Sequence, residues 1–283
     1  DVNSTTGVIS GIPAATGTFT SSLEASNEAG SFRKDVVFDV RDYSAWRFSS
    51  IITFPGYSGS SEISDFPVYL ELNNSLSGFT YEQFASPSGY DLRFVSVDTN
   101  EEIEYEVVKW DTSGVSSFWL RLPKLNGTTS VKAMWGNQAA LSQPEYSKDG
   151  RIWSAYRGVW HMDGSSEELV KDSSNSFHAI PYNFETLRVP GVIGSAVSFD
   201  GVNDYLDLPI DSHPPADARK LTFSFWSYGG TKHLNNNSLL ESGSSLGRHL
   251  NLHLPWSNAR VIWDVGVGGI DRIEKEDAVY AGR

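Results

Sequence analysis

"FPVYLEL", residues 66–72, sets Phe66, Val68, Leu70 and Leu72 against Pro67, Tyr69 and Glu71. A period of two places one set of side chains on one face of a β-strand, with that face turned to a core. Pro67 has no N–H to give a ladder, so the strand belongs at a sheet edge or has its start there. Working outward, "DLRFVSV" (91–97), "IEYEVVKW" (103–110), "SFWLRLP" (117–123) and "TSVKAMW" (129–135) follow at short spacing. Turn residues such as Asp98-Thr99-Asn100 and Asn126-Gly127 separate them. Further on come "AVSFDG" (196–201), "DYLDLP" (204–209), "LTFSFWSY" (221–228), "HLNLHLPW" (249–256) and "ARVIWDVGV" (259–267). Short, evenly spaced strands with Gly, Asn and Ser turns indicate sandwiches or jelly rolls. One helical turn is expected at "TYEQF", where Thr80 and Gln83 stand at capping-box spacing. The fold class read from this pattern is all-β, as tandem β-sandwiches.

The chain has 283 residues, enough for about two domains at roughly 150 residues each. Nine Trp, 12 Tyr and 15 Phe supply apolar bulk for more than one core. No run approaches the ~20 apolar residues of a membrane span. Against 35 Asp and Glu there are 22 Lys and Arg, a net charge of −13. No basic stripe is present to neutralise phosphates, which argues against nucleic acid as a partner. Cysteine is absent, which removes disulfides, thiolate zinc sites and cysteine nucleophiles together. Changes of character near Asp42 and across 138–152 divide the chain into pieces at about 1–41, 42–148 and 149–283.

Each piece resembles a known family. "STTGVISGIPAATGTFT" (4–20) and the residues after it, to "DVVFDV", resemble the C-terminal half of bacterial Ig-like repeats. The middle piece, through "DFPVYLEL", "GYDLRFVSVD", "EYEVVKWD", "SSFWLRLPKL" and "AMWGNQAA", resembles a bacterial family catalogued as domain of unknown function 2341. That family brings no activity with it, and its members sit beside sugar-binding or laminin-G-like modules in large exported proteins. The last piece, through "GVWHMDGSSEELVKDSSNSFHAI", "GVIGSAVSFDGVNDYLDLP" and "LTFSFWSYGG", resembles a laminin-G-like, concanavalin A-like jelly roll. Relatives of that module continue with further core strands, so it is expected to be incomplete at its C-terminus, and the first piece is expected to be half a repeat.

Two polar turns, Asp172-Ser-Ser-Asn175 and Asp200-Gly-Val-Asn-Asp204, are the candidate metal site. Calcium takes six to eight oxygens from carboxylates, amides and carbonyls, and Asp172, Asn175, Asp200 and Asp204 could supply several. The competing account is that Asp-Gly and Asn-Asp are favoured turn residues that bond their own backbone. His249 and His253 are four apart, but Leu250, Leu252 and Leu254 alternate between and around them, so they lie ~13 Å apart along a strand and cannot share zinc. With Asn251 they are expected to line one exposed face. An indole stacks on the apolar face of a sugar ring, and Trp226, Tyr228, His249, Asn251, His253 and Trp256 form the candidate carbohydrate set. Core filling is the competing role for any such aromatic.

Glycosidases of jelly-roll type carry paired carboxylates on one strand face. Glu102, Glu104 and Glu106 in "EEIEYEVV" come nearest, without the central Asp, and are expected to form a solvated face. No nucleophile elbow, phosphate loop or HExxH sequence occurs. The expected function is therefore non-catalytic: a carbohydrate-binding or adhesion segment of a large exported bacterial protein, extracellular or at the cell surface. Its expected partners are a polysaccharide or cell-surface glycan, neighbouring copies or other surface proteins, and its cofactor one calcium ion. Two alternatives stand beside it, a filament or layer subunit completed by neighbouring chains, and accessory modules of a polysaccharide-degrading enzyme.

Overall fold

The computed structural model describes residues 2–163, 168–212, 220–228, 238–242, 248–253, 260–267 and 271–276. Among them the chain is all-β, with helical character confined to single 3-10 turns. It divides into two units, one of residues 1–105 and 109–144, the other of 106–108 and 145–283.

The first unit holds β1 (Gly17–Asn27), β2 (Gly30–Val40), β3 (Phe48–Thr53), β4 (Ile63–Leu72), β5 (Arg93–Ser96), β6 (Glu102–Ile103), the two end residues of β7 (Tyr105–Lys109), whose middle, 106–108, falls in the second unit, β8 (Ser116–Leu125) and β9 (Ser130–Trp135). β1 and β2 form a separate antiparallel ribbon. The others make two sheets, ordered β3-β9-β5-β6 and β4-β8-β7. On β8 the period of two is nearly complete: Phe118, Leu120 and Leu122 are buried, while Trp119 and Arg121 are half-buried. Opposite them in register lie Leu70, Val68 and Phe66 of β4. The sheets face each other through ring contacts, with Phe94 of β5 at 5.1 Å from Tyr105 and 5.9 Å from Phe118. β4 is an edge strand, where Pro67 costs no hydrogen bond. For the same reason its face is not uniformly covered: Leu72 is buried, but Phe66 remains 40% exposed.

The predicted turn at "TYEQF" is a 3-10 turn, Tyr81–Gln83, in which Thr80 N–H donates to Gln83 Oε1 (3.3 Å). That oxygen also accepts from Trp135 Nε1 at 2.9 Å, tying the turn to the core. Buried Asp91 accepts from the backbone N–H groups of Ala85 and Ser86 (3.0 Å each) and Gly136 (2.7 Å). Gly136 has φ +86, and a Cβ there would stand 2.6 Å from the Phe48 ring. No other residue fits that position without displacing a core ring.

The second unit holds β10 (Ile180–Tyr182), β11 (Arg188–Pro190), β12 (Ser195–Val197), β13 (Tyr205–Asp207), β14 (Leu240–Glu241), β15 (Arg248–His253), β16 (Arg260–Val267) and β17 (Asp271–Glu276). β10 pairs with β13, β11 with β12, and β14 to β17 form a four-stranded antiparallel sheet in chain order. Val170, Ala179 and Leu187 are the buried centre of one core, ringed by Trp160, Met162, Phe184, Val197, Leu206 and Leu208. Leu250, Leu252 and Ile262 are buried on the four-stranded sheet. "LTFSFWSY" was expected as a strand, but 221–228 joins no ladder among the described residues. Its alternation is real, yet only Phe223 has a ring partner there, Trp263 at 5.6 Å. Alternation alone marks a face, and a strand also needs a neighbour for its backbone.

Candidate functional site

The second unit is organised around carboxylates. Glu106, expected on a solvated face, is instead largely buried, and its oxygens accept from Trp153 Nε1 (2.6 Å) and Ser173 Oγ (2.7 Å) and contact His161 Nε2 (3.2 Å). Burial pushes its pKa up, but the bonds from His161, Ser173 and Trp153 prevail and leave it below the ordinary glutamate value. In the first unit Glu102 is likewise part-buried, paired with Arg41 (2.7 Å) and Arg93 (3.4 Å), and Glu104 lies 3.8 Å from Arg121. Glu102 and Glu106 belong to different strands, β6 and β7, which lie in different sheets. The run "EEIEYEVV" is therefore broken between sheets, which strand periodicity could not disclose. Ser173 gives its hydroxyl proton to a carboxylate and not to an imidazole, so Glu106, His161 and Ser173 do not form a nucleophile relay.

Asp172, a candidate calcium ligand, is fully buried. Its Oδ1 accepts from Val159 N–H (2.7 Å) and Ser174 N–H (2.9 Å). Its Oδ2 accepts from Ser174 Oγ (2.6 Å), Phe177 N–H (2.9 Å) and Ser176 N–H (3.3 Å). Burial raises its pKa, and these donors more than reverse the effect, leaving it lowered. Asn175 sits in the left-handed region (φ 63) and points its amide to Lys148 O at 3.5 Å. This turn is closed by its own donors.

The other candidate turn brings Asp200 and Asp204 together. Asp200 N–H donates to Asp204 Oδ2 (2.8 Å), and Asp200 Oδ1 accepts from Val202 N–H (2.7 Å) and Asn203 N–H (3.3 Å). Those backbone bonds are the main cause that holds the Asp200 pKa below its ordinary value. Asp204 Oδ1 is buried with no hydrogen-bond partner among the described residues. Among those residues no three His, Cys, Asp or Glu side chains gather as a metal group.

The candidate carbohydrate residues separate by burial. Trp226 and Tyr228 are 76% and 78% exposed. Asn251 and His253, expected on an exposed face, are buried, as are Leu250 and Leu252 on the opposite face of β15. His253 Nδ1 contacts Ser238 Oγ at 3.4 Å. Asn251 lies opposite Asp264, whose carboxylate takes a bidentate pair of bonds from Arg272 (2.7 and 2.8 Å). His249 is placed on β15 opposite Gly266, and Trp256 lies outside the described residues. Among the described side chains of the set, Trp226 and Tyr228 are thus the two offered to solvent.

No family model and no curated protein matches this chain. Among solved structures it is similar to an S-layer domain-containing protein (residues 221–444) from Clostridium thermocellum ATCC 27405, at 22% identity and a TM-score of 0.37. The likeness covers 43% of this chain and 58% of that one, and at that degree it carries no statement about function. No helix among the described residues is long and apolar enough to cross a membrane.

Proposed function

We propose that this chain is a non-catalytic segment of an exported bacterial surface protein whose second unit attaches to saccharide. In this reading the first unit's sandwich is a module of the unknown-function 2341 family and the second unit a laminin-G-like one. The observation that carries the reading is the exposure of Trp226 and Tyr228, two large aromatic side chains that a core would have covered. Such rings offer flat apolar faces to the C–H face of a sugar, while an acidic surface disfavours anionic polymers. Affinity electrophoresis through gels containing neutral polysaccharides tests it. The wild type should be retarded and the double variant Trp226→Ala/Tyr228→Ala should run freely; unretarded wild type in every gel would end the reading. Calcium belongs to this reading only at the Asp200–Asp204 turn, and a melting temperature unchanged by chelator removes it.

A second reading, as a layer or filament subunit, is favoured by the β1–β2 ribbon. Register puts Phe19, Leu23 and Ala25 beside Phe38, Lys34 and Phe32 on one face, and Phe19 and Phe32 are exposed. A two-stranded ribbon with an uncovered apolar face is marginal in water alone. Light scattering after size exclusion separates the readings, since a strictly monomeric particle speaks against the subunit.

A further inference from the structure

The two-stranded sheet β10–β13 carries a second aromatic surface. Register sets Ile180 opposite Asp207, Pro181 opposite Leu206, and Tyr182 opposite Tyr205. Leu206 turns inward to the Val170–Ala179–Leu187 core, so the alternate residues Ile180, Tyr182, Tyr205 and Asp207 share the outward face. Tyr182 and Tyr205 are 40% and 49% exposed, and their rings stack at 4.8 Å with planes 9° apart. Each ring therefore spends one face on the other. Neither phenolic hydroxyl hydrogen-bonds to a described residue. Beside the pair, Asn183 (φ 69) bridges from β10 to the Asp200–Asp204 turn, its Nδ2 donating to Asn203 O at 2.8 Å. That turn contributes Asp204, whose buried Oδ1 is without a hydrogen-bond partner among the described residues.

We infer that this face is a binding site for a neutral, pyranose-containing saccharide, with the Tyr182–Tyr205 pair as its platform. The inference rests on the saccharide reading above but places contact on different residues. A flat, rigid aromatic pair offers apolar area at little entropic cost, and the free phenols and Asp207 offer hydrogen-bond partners to ring hydroxyls. Charge selects the ligand class. Among the described residues of the shared face, Asp207 is the one ionisable group apart from the phenols, and Asp200 and Asp204 belong to the adjoining turn, so hydroxyl donors are welcome and carboxylated or sulfated sugars are repelled. The competing account is structural: cross-strand aromatic pairs also stabilise short ribbons.

The test is an NMR titration of the full chain with laminarihexaose, cellohexaose and mannohexaose, with trigalacturonate as the anionic control. At least one neutral hexasaccharide should shift the Tyr182 and Tyr205 ring resonances, and trigalacturonate should not. Tyr182→Ala and Tyr205→Ala should each weaken that binding at least tenfold, whereas Tyr182→Phe and Tyr205→Phe, which keep the stack, should retain most of it. Ring shifts in the unvaried protein do not depend on any variant folding. If a hexasaccharide binds without moving these resonances, and binding is lost only in Trp226→Ala/Tyr228→Ala, the platform is refuted and the saccharide reading stands. If none of the three binds, or only trigalacturonate does, the platform is refuted along with the reading it rests on.

Discussion

Asp91 in the first unit and Asp172 in the second are both fully buried carboxylates that collect backbone N–H groups at a turn, and their surroundings differ. Asp91 gathers three such groups at the end of a sandwich whose interior is already filled by Phe94, Tyr105, Phe118, Leu120 and Trp135. Asp172 gathers four backbone N–H groups and a hydroxyl beside a core whose buried centre is Val170, Ala179 and Leu187. Glu106 and the Arg188 guanidinium, which donates to Met162 O and Leu169 O, extend the same polar scheme in the second unit. One unit is held chiefly by area removed from water, which is non-directional. The other leans on directed bonds to buried charge, which fail sharply when one partner is removed.

The largest effect is expected from emptying the sandwich. Phe118→Ala should cost the first unit about 3–5 kcal/mol through lost transfer energy and a residual cavity. Hydrogen exchange resolved by segment would read this as lost protection on β8 and β5; undiminished protection there would show that area is not what holds this unit.

Next is Asp172→Ala, which strands several buried donors at once and should cost the second unit about 3 kcal/mol. Protection should fall across 159–179 with β8 unchanged. A loss below about 1 kcal/mol would mean that water replaces the carboxylate at no cost, and the contrast between the units would collapse.

The smallest effect is expected from acid. Glu106 and Asp172 both have folded pKa values lowered from ordinary values of 4.5 and 3.8. Their contribution is therefore complete above those values and is lost as pH falls through the lower folded ones. As pH falls below about 4.5 the second unit should lose stability, and Glu106→Gln, itself costing about 1–2 kcal/mol, should flatten that slope. A slope identical in wild type and variant would detach Glu106 from the acid response.

Much of the fold was legible because strand periodicity is local. β5, β9 and β16 lie within the alternating stretches, β4 and β8 contain theirs and run two or three residues beyond, Pro67 is on an edge, and the turn at Thr80–Gln83 has the expected spacing. The site was less legible, since exposure depends on what lies across a strand. Trp226 and Asn251 look alike as candidates in sequence, yet one is open to solvent and the other buried on an inner strand. Tyr182 and Tyr205 are 23 positions apart and neither stands out as a site residue in the sequence; pairing between β10 and β13 brings their rings together.

By itself the sequence determined the strand class, the acidic surface and the absence of cysteine chemistry, because side-chain alternation, charge and composition are properties of neighbours along a chain. Tertiary structure decided which carboxylates are spent on backbone donors, which aromatics face water, and that Glu106 is a part-buried acceptor and not part of a solvated row. Those outcomes depend on register and on which sheet covers which face, and both are fixed only when distant strands pair.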